Sequence, residues 1–216
     1  MKIVLFGATG NIGRRIAKEA LDRGHEVVGV VRDPDKVESP DRRLPLLKGD
    51  ATSARDVARL ARGADALVSA ISPRPNPRGL AAPSLSGAAR ALVAGAREAG
   101  VKRVLVVGGA GTLEVAPGVR LMDAPGFPAA YRGEAQEGAE SLAVFRSEAA
   151  GLDWTFLSPA AEIAPGERTG RYRTTADTLL ADAQGKSFIS FEDYAVALVD
   201  ELERPRHQGL RFGVAY

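Results

Sequence analysis

The apolar positions of the chain fall into short continuous runs, separated by stretches in which apolar and polar residues alternate with helical spacing. The runs "KIVLF" (2–6) and "EVVGVV" (26–31) are rich in β-branched residues, and the first ends at Gly7. Continuous runs of this length are typical of strands that are buried on both faces of a parallel sheet. Similar runs predict four more strands, within 44–50, 64–71, 101–109 and 152–159.

Amphipathic segments lie between these runs and predict helices. Apolar residues recur at helical spacing from Asn11 to Arg23, and Gly24 follows as a stop signal. Three more helices are predicted, over 53–63, 84–99 and 134–150. In the first of these three, Ser53 is the predicted N-cap. Because strands and helices alternate, the pattern predicts an α/β fold with a doubly wound, Rossmann-type parallel sheet.

Three segments interrupt the alternation: 72–84, 112–133 and 160–190. Each follows the carboxyl end of a predicted strand, where ligands bind in open α/β sheets. The last one contains "LLADAQGKSFIS", which predicts a hairpin that turns near Gln184 and Gly185. We therefore expect one Rossmann domain over residues 1–216, with 160–190 as a small C-terminal extension on the substrate side.

The turn between the first strand and the first helix, within "FGATGNIGRR", has glycines three residues apart. In such a turn Gly7 allows the tight bend, Gly10 lets the backbone approach a pyrophosphate, and Gly13 lets the helix pack close to the strand. The helix N-terminus then offers free N–H groups to the phosphates. The strand before and the helix after this turn favour dinucleotide binding over a packing turn without ligand. Three further residues of the turn are predicted to contact the cofactor: Thr9, Asn11 and Ile12.

The end of the second strand bears on the choice between NAD and NADP. An acid there would bind the ribose 2′-OH of NAD, whereas an arginine accommodates the 2′-phosphate of NADP. The sequence "VVRDPDK" places Arg32 before Asp33 and therefore favours NADP, with NAD as the alternative. Arg14 and Arg15 would add positive charge near the same phosphate, although at least one of them is expected on solvated helix surface. Asp50 is expected either near the adenine or as a turn residue.

Composition narrows the classes of partner. The 29 Lys and Arg residues face 27 Asp and Glu residues, so the net charge of +2 gives no basic face for nucleic acid. The chain has no cysteine, and His25 and His207 stand far apart without ligand spacing, so no metal site is expected. No apolar stretch reaches the ~18 residues that span a membrane, and "MKIVLF" leaves no room for a signal peptide. We expect a cytoplasmic protein with a small-molecule substrate; monomer and homodimer remain open.

Four stretches carry a resemblance that covers essentially the whole chain: "FGATGNIGRRIAKEAL", "VVGGAGTLEVAPG", "LDWTFLSPAAEIAPGERTGRYR" and "ISFEDYAVALVDELERPRH". They resemble the atypical short-chain dehydrogenase/reductase superfamily. Within it, the closer likeness is to the group named NADH-flavin reductases, relatives of biliverdin reductase B/flavin reductase and of NmrA-like proteins. The first stretch is common to the broad superfamily, whereas the other three are more particular to the group.

The resemblance implies which backbone segments line the cofactor. The segment after the fourth strand is implied on the nicotinamide-ribose side, the end of the fifth strand near the nicotinamide, and the segment after the sixth strand at its other edge. The residues so implied are Ala70, Ile71 and Ser72, then Gly108 and Gly109, then Pro159 and Ala160.

The proton-transfer pair of better-known members of the superfamily, Tyr-x-x-x-Lys, is absent from this chain. Ala135 stands four residues after Tyr131, and the nearest hydroxyl to the end of the fifth strand is Thr112. Thr112 and Tyr131 are therefore the candidate catalytic side chains, although Tyr131 is better explained as an aromatic that packs at a helix start. Reduction of a flavin needs no positioned acid, because its product anion is delocalised. The absence therefore favours a reductase of a flavin-like or quinone-like acceptor, FMN among them.

The same absence suits a different class of protein, a redox-sensing regulator of the NmrA-like kind that binds the cofactor without turnover. It counts against a sugar isomerase. On the substrate side, "PGERTGRYR" places Arg168, Arg171 and Arg173 in one loop, where they would clamp a flavin phosphate or another anionic substrate. The alternative for this loop is structural salt bridging.

Overall fold

The computed structural model describes residues 1–74 and 81–216. Part of the proline-rich segment predicted at 72–84 lies outside the described residues. Six strands follow the predicted apolar runs: β1 (Lys2–Phe6), β2 (Glu26–Val31), β3 (Leu46–Lys48), β4 (Ala66–Ser69), β5 (Arg103–Val107) and β8 (Asp153–Ser158). The others are β6 (Glu114–Ala116), β7 (Val119–Arg120), β9 (Glu162–Ala164), β10 (Arg173–Thr175), β11 (Phe188–Ser190) and β12 (Leu210–Ala215).

Five helices connect these strands: α1 (Asn11–Asp22), α2 (Ala54–Ala61), α3 (Leu85–Ala99), α4 (Arg132–Glu148) and α5 (Phe191–Glu203). Serine side chains cap three of them, because Ser53, Ser84 and Ser190 each accept a hydrogen bond from the amide N–H three residues on. Helix α3 ends at Gly100, whose φ of 75° is the left-handed conformation that glycine adopts without strain.

The main sheet has eight strands in the order β10-β12-β8-β5-β4-β1-β2-β3. All neighbours are parallel except β10, which pairs antiparallel with β12. The order reverses between β1 and β4, which is the arrangement of a doubly wound Rossmann fold. The predicted fold class is therefore confirmed. The carboxyl ends of β1, β4, β5 and β8 share one edge of the sheet, where the site is described below.

Two apolar cores cover the faces of the sheet. One core contains Ile16 and Leu198, so α1 and α5 pack on that face. The other contains Val57, Leu92 and Phe145, so α2, α3 and α4 pack on the opposite face. Since both faces are covered, the central strands are buried on both sides, as their continuous apolar runs predicted.

The hairpin predicted near Gln184 and Gly185 is wrong in its pairing. A turn is present, since Gly185 has a φ of 79° and its N–H donates to the Asp182 carbonyl at 3.0 Å. The strand after the turn, β11, pairs in parallel with β9 and not with the residues before the turn. The strand before the turn, β10, ends at Thr175 and adds to the edge of the main sheet through β12. The local turn was visible in the sequence, but each flanking strand is stabilised by a distant partner.

Candidate functional site

The glycine turn between β1 and α1 is as tight as its spacing predicts. Gly7 has a φ of 79°, and a Cβ at this position would lie 2.6 Å from the Ala70 carbonyl oxygen. A Cβ on Gly13 would overlap the Gly7 carbonyl oxygen. A Cβ on Gly10 would lie 3.3 Å from the same oxygen and so is crowded without being excluded. Gly7 and Gly13 are therefore required by the fold, whereas the absence of a side chain at Gly10 opens the turn to a ligand.

The N-terminus of α1 is prepared for an anion. Gly10 is its N-cap and supplies no side-chain hydrogen bond, and no acidic residue stands in the first turn. The N–H groups of Asn11, Ile12 and Gly13, the first three of the helix, point out of the N-terminus as in any helix. Together with the positive end of the helix dipole, they form a cradle for the pyrophosphate of a dinucleotide.

The predicted nicotinamide-side segments lie along the carboxyl edge of the sheet. The amide of Ala70 donates to the Phe6 carbonyl at 2.9 Å, so the segment after β4 is fixed beside the end of β1. The amide of Gly108 donates to the Leu157 carbonyl at 2.8 Å, and a Cβ on Gly108 would overlap the Phe156 ring. The structure thus brings together the ends of four strands and seven predicted residues: Ala70, Ile71, Ser72, Gly108, Gly109, Pro159 and Ala160. Pro159 and Ala160 are buried, so their contribution is to the wall behind the edge.

A cleft lies between the glycine turn and the segment after β2, where the sequence predicts the adenosine half of the cofactor. It has a volume of about 450 Å³ and is lined by Thr9, Arg14, Lys36, Val37, Glu38, Ser39 and Pro40. The sequence prediction included Thr9 and Arg14 but missed Lys36 and Ser39. The only signal in the sequence was that "DPDK" places a lysine one short turn after Arg32, and the three residues Pro34–Lys36 do form such a turn.

Arg32, the predicted phosphate ligand, lies at the end of β2 and donates to the Ala81 carbonyl at 2.8 Å. Lys36 forms an ion pair with Asp33, with 2.7 Å between Nζ and Oδ2. The hydrogen bond between them lowers the pKa of Asp33 and raises the pKa of Lys36. Asp33, the acid that would bind a ribose 2′-OH, is thus paired with Lys36. Both Lys36 and Arg14 line the cleft.

Arg15 and Asp50 have structural partners. Arg15 donates from Nε to Glu192 at 2.9 Å, and its guanidinium lies 5.3 Å from the centroid of the Phe191 ring, so it ties α1 to the start of α5. Asp50 accepts hydrogen bonds from both the amide and the hydroxyl of Thr52 at 2.8 Å. Of the two interpretations of Asp50, this geometry shows the turn residue.

The candidate catalytic hydroxyl of Thr112 has a side-chain partner within the fold. It accepts a hydrogen bond of 3.3 Å from Arg211 on β12, whose guanidinium also binds Asp177. This partner, which lies in the amino-terminal half of β12, was not foreseen from the sequence, and it makes Thr112 part of a polar contact within the fold. The contact gives Thr112 a structural role, and its assignment as a candidate catalytic residue stays a prediction.

Tyr131 stands at the start of α4 and is 53% exposed. The Arg74 guanidinium lies 5.9 Å from the centroid of its ring and donates to Glu134 at 2.8 Å. Within residues 1–74 and 81–216, the Tyr131 hydroxyl has no hydrogen-bond partner. One turn further along the same face, Ala135 packs against Gly111, where a Cβ would lie 2.8 Å from the Ala135 Cβ. Ala135 stands at the position where a lysine would accompany Tyr131, and it lies in close contact with the backbone of Gly111.

The loop 165–173 is fastened to α1 and α5, which corrects the prediction of an arginine clamp. Arg168 makes two hydrogen bonds of 2.7 Å to Glu19, in the second half of α1. Arg173 donates to the carbonyl groups of Ala181 and Tyr216. Arg171 is exposed and, in the described part of the chain, its side chain has no partner. Arg168 and Arg173 thus form structural contacts away from the N-terminus of α1, and no cluster of three arginines faces a substrate.

The buried carboxylate of Asp193 holds the same loop. It accepts hydrogen bonds from the amides of Thr169 and Gly170 at 3.1 and 2.7 Å, from the Thr169 hydroxyl at 2.6 Å and from the Tyr216 hydroxyl at 2.7 Å. Burial by itself would raise the pKa of Asp193, but these hydrogen bonds outweigh it and the pKa is lowered. The motif "ISFEDYAV" therefore serves to order the loop.

No group of three or more His, Asp or Glu side chains between residues 1–74 and 81–216 is arranged to hold a metal ion. Among the helices in these ranges, none combines the length and the apolar character needed to cross a bilayer.

Comparisons with known proteins agree with this geometry. Residues 7–205 match a family model described as NAD(P)H-binding. A solved structure from Burkholderia pseudomallei, with the provisional name exported protein, is 48% identical over the whole of both chains, with a TM-score of 0.89. One from Bacteroides thetaiotaomicron, provisionally named an epimerase, is 41% identical over all of this chain and 96% of its own, with a TM-score of 0.88. One from Streptococcus pneumoniae, provisionally named an NADH-flavin reductase, is 32% identical over 100% of this chain and 99% of its own, with a TM-score of 0.81.

Proposed function

Because the chain belongs to the NAD(P)H-binding family, we propose that it is an NADPH-dependent reductase that acts on a flavin-like or quinone-like acceptor. When bound, the reduced nicotinamide supplies a hydride. The chain's own contribution is to hold the pyrophosphate at the N-terminus of α1 and to leave the edge formed by Gly108 and Gly109 open for the acceptor. A planar acceptor that stacks at this edge needs orientation more than acid catalysis.

The contact between Gly111 and Ala135 is the observation that carries this proposal. Reduction of a carbonyl group produces an alkoxide, which requires a proton from a positioned acid. In this chain the residue four positions after Tyr131 is Ala135, which packs against Gly111, so no lysine stands there to assist proton transfer from the Tyr131 hydroxyl. The reduced form of a flavin or quinone spreads its charge over a ring system, and solvent can protonate it at this exposed edge.

The proposal of NADP over NAD rests on the charges around the adenosine cleft. Arg14 and Lys36 line the cleft, and Arg32 lies at the end of β2 beside it. Asp33 is paired with Lys36 and is therefore a weaker partner for a ribose 2′-OH. A dianionic 2′-phosphate gains two or three cationic neighbours here, and Lys36 is exposed enough to turn from Asp33 to the phosphate.

The Bacteroides thetaiotaomicron relative raises the possibility of epimerase activity, which we do not propose for this chain. Epimerisation through a transient carbonyl requires the same acid–base assistance as carbonyl reduction. The replacement of a lysine by Ala135 removes the group that would tune Tyr131 for this step.

A turnover assay tests the proposal. The purified chain is mixed with NADPH and either FMN or a water-soluble quinone, and the absorbance of the reduced nicotinamide is followed against a protein-free control. We expect oxidation of NADPH well above the control rate, and slower oxidation of NADH. Tight binding of NADPH without turnover of any acceptor would contradict the proposal and favour the non-catalytic, redox-sensing alternative.

A further inference from the structure

A second cavity lies beside β10, the edge strand of the main sheet on the side away from β1. It has a volume of about 320 Å³ and is lined by Arg146, Trp154, Thr174, Thr175, Ala176, Asp177, His207, Gly209, Leu210 and Arg211. Trp154 stands at the start of β8, and Gly209–Arg211 at the start of β12, so the cavity borders the amino-terminal halves of these strands. Nothing in the proposed reductase activity uses this cavity. Its volume is at the lower end of the ~300–1,000 Å³ typical of small-molecule sites.

Two guanidinium groups in this cavity share one carboxylate. Arg211 is 3% exposed and binds Asp177 through two nitrogens, and Arg146 on α4 approaches the same Asp177 oxygen at 3.6 Å. Asp177 itself is more than half exposed, in the segment that follows β10. The three side chains therefore leave a local excess of one positive charge, and the acid is the member most able to move.

The Trp154 indole N–H is a further donor in this cavity. The indole ring of Trp154 is almost entirely buried, and in the described ranges its N–H has no acceptor. His207 binds the buried Glu201 through Nδ1 at 2.8 Å, which leaves its second ring nitrogen towards the remaining surroundings. Glu201 is already satisfied by Arg103 at 2.9 Å and contributes no free negative charge. The balance of donors over acceptors is that of a site for an anion.

We propose that this cavity binds a small molecule through a phosphate or carboxylate group, held between Arg146, Arg211 and the indole N–H of Trp154. In the absence of that molecule, the Asp177 carboxylate takes its place as an internal ligand of both arginines. Binding would release Asp177 to solvent and exchange one anion for another, so that the buried Arg211 keeps a counter-charge in both states. The proposal is independent of the reductase activity, because none of the residues that line the cavity is assigned to the cofactor edge.

Trp154 provides a direct readout, because it is the only tryptophan in the chain and its ring lines the cavity. Cofactor-free protein is titrated with sodium citrate or with inorganic phosphate, at an ionic strength held constant with sodium chloride. We expect a saturable change in tryptophan fluorescence and a rise in the thermal midpoint at saturating anion. A response to citrate alone assigns the site to carboxylates, and a response to phosphate alone assigns it to phosphates.

Three variants separate a built site from an adventitious one. We expect Arg146→Ala to weaken binding about tenfold, as the loss of one charged hydrogen bond implies, and Asp177→Asn to strengthen it, because the competing carboxylate is removed. Arg90→Ala is the matched control, since Arg90 is an exposed arginine that pairs with Glu148 at 3.1 Å outside the cavity. The proposal is overturned if neither anion changes the fluorescence, or if Arg146→Ala and Asp177→Asn bind as the unmodified chain does. NADPH oxidation by Arg146→Ala is expected to be unchanged, so failure here is distinguishable from failure of the reductase proposal.

Discussion

Ala135 of helix α4 packs against the backbone of Gly111 so closely that a Cβ on Gly111 would lie 2.8 Å from the Ala135 Cβ. We expect Gly111→Ala to lower the free energy of unfolding by about 1–3 kcal/mol, because α4 must shift to accept the methyl group. Gly109→Ala is the control, since no atom lies within 4 Å of a Cβ at that position. It should change stability by no more than about 0.5 kcal/mol. Urea unfolding without cofactor measures both, and equal effects would show that the contact is looser than described.

Two substitutions in the glycine turn should distinguish its role in folding from its role in cofactor binding. Gly13→Ala places a methyl group on the Gly7 carbonyl oxygen and should prevent the native turn, with a large loss of thermal stability. Gly10→Ala meets the same oxygen at 3.3 Å and should fold, while its methyl group obstructs the pyrophosphate and raises the Kd for NADPH at least about tenfold.

Calorimetric titration with NADPH, together with thermal unfolding, tests this pair. Gly138→Ala, on an open surface of α4, controls for the general effect of replacing glycine in or near a helix. Unchanged NADPH affinity in Gly10→Ala would remove the turn from the pyrophosphate site.

The residues that line the adenosine cleft predict that Lys36 distinguishes NADPH from NADH. Lys36→Ala should raise the Kd for NADPH about tenfold and leave that for NADH nearly unchanged, because only NADPH carries the 2′-phosphate. Arg14→Ala should act in the same direction. The matched control is Lys18→Ala, an exposed lysine on α1 that pairs with Asp22 outside the cleft.

Arg32→Ala tests whether Arg32 binds the 2′-phosphate of NADPH, as the sequence predicts, or only holds the Ala81 carbonyl. The Arg32 guanidinium donates to the Ala81 carbonyl. If that contact persists with ligand, Arg32→Ala should weaken the binding of both NADPH and NADH. If the side chain turns to the 2′-phosphate, the substitution should weaken the binding of NADPH alone. Equal losses of NADPH and NADH affinity in all three cleft variants would contradict the preference for NADP.

Asp193 makes the stability of the loop 165–173 depend on pH. Its folded-state pKa lies below the ordinary value of 3.8, so its contribution is fully present above about pH 4 and is lost as the pH falls through the folded-state value. Asp193→Asn should cost about 3 kcal/mol at pH 7, because two backbone amides and two hydroxyls lose a charged acceptor. The difference between the two proteins should narrow below pH 4. A difference that stays constant down to pH 2 would show that the carboxylate is not stabilised by these donors.

Arg168 should affect the stability of the fold and not the KM for the acceptor. Arg168→Ala removes the ion pair with Glu19, whose pKa the Arg168 hydrogen bond lowers, and should reduce the thermal midpoint by a few degrees. The KM for the acceptor should be unchanged. Arg171→Ala, in the same loop but exposed, is the control for stability. A higher KM in Arg168→Ala with unaltered stability would restore the idea of a substrate clamp.

The sequence predicted well the features that depend on neighbours in the chain. The spacing of Ser53 and Asp56 predicted a capped helix, and the Ser53 side chain accepts from the Asp56 amide. In the folded chain, Ser190 accepts from the Asp193 amide in the same way. The continuous apolar runs predicted the largely buried strands β1, β2, β4, β5 and β8 and the edge strand β3, whereas the interior strand β12 was not predicted.

Features that depend on distant partners were missed. The residue that neutralises Arg168 is Glu19, which lies 149 positions earlier, and no local pattern points to it. The strand β11 pairs with β9, and the long segment between the two strands shows no regular pattern in the sequence. Lys36 was overlooked because "DPDK" has the composition of a turn, and only the folded chain shows that the turn borders a cleft.

The order of strands at one edge of the sheet has a consequence for how the chain is made. The strand β10 pairs only with β12, yet it precedes β12 in the sequence, with β11 and α5 in between. During synthesis from the N-terminus, the residues of β10 emerge when their partner has not yet been translated. The nucleus of folding is therefore expected among β1, β2, β4 and β5, whose pairings close earlier, while the β10 edge is completed only after β12 has emerged from the ribosome.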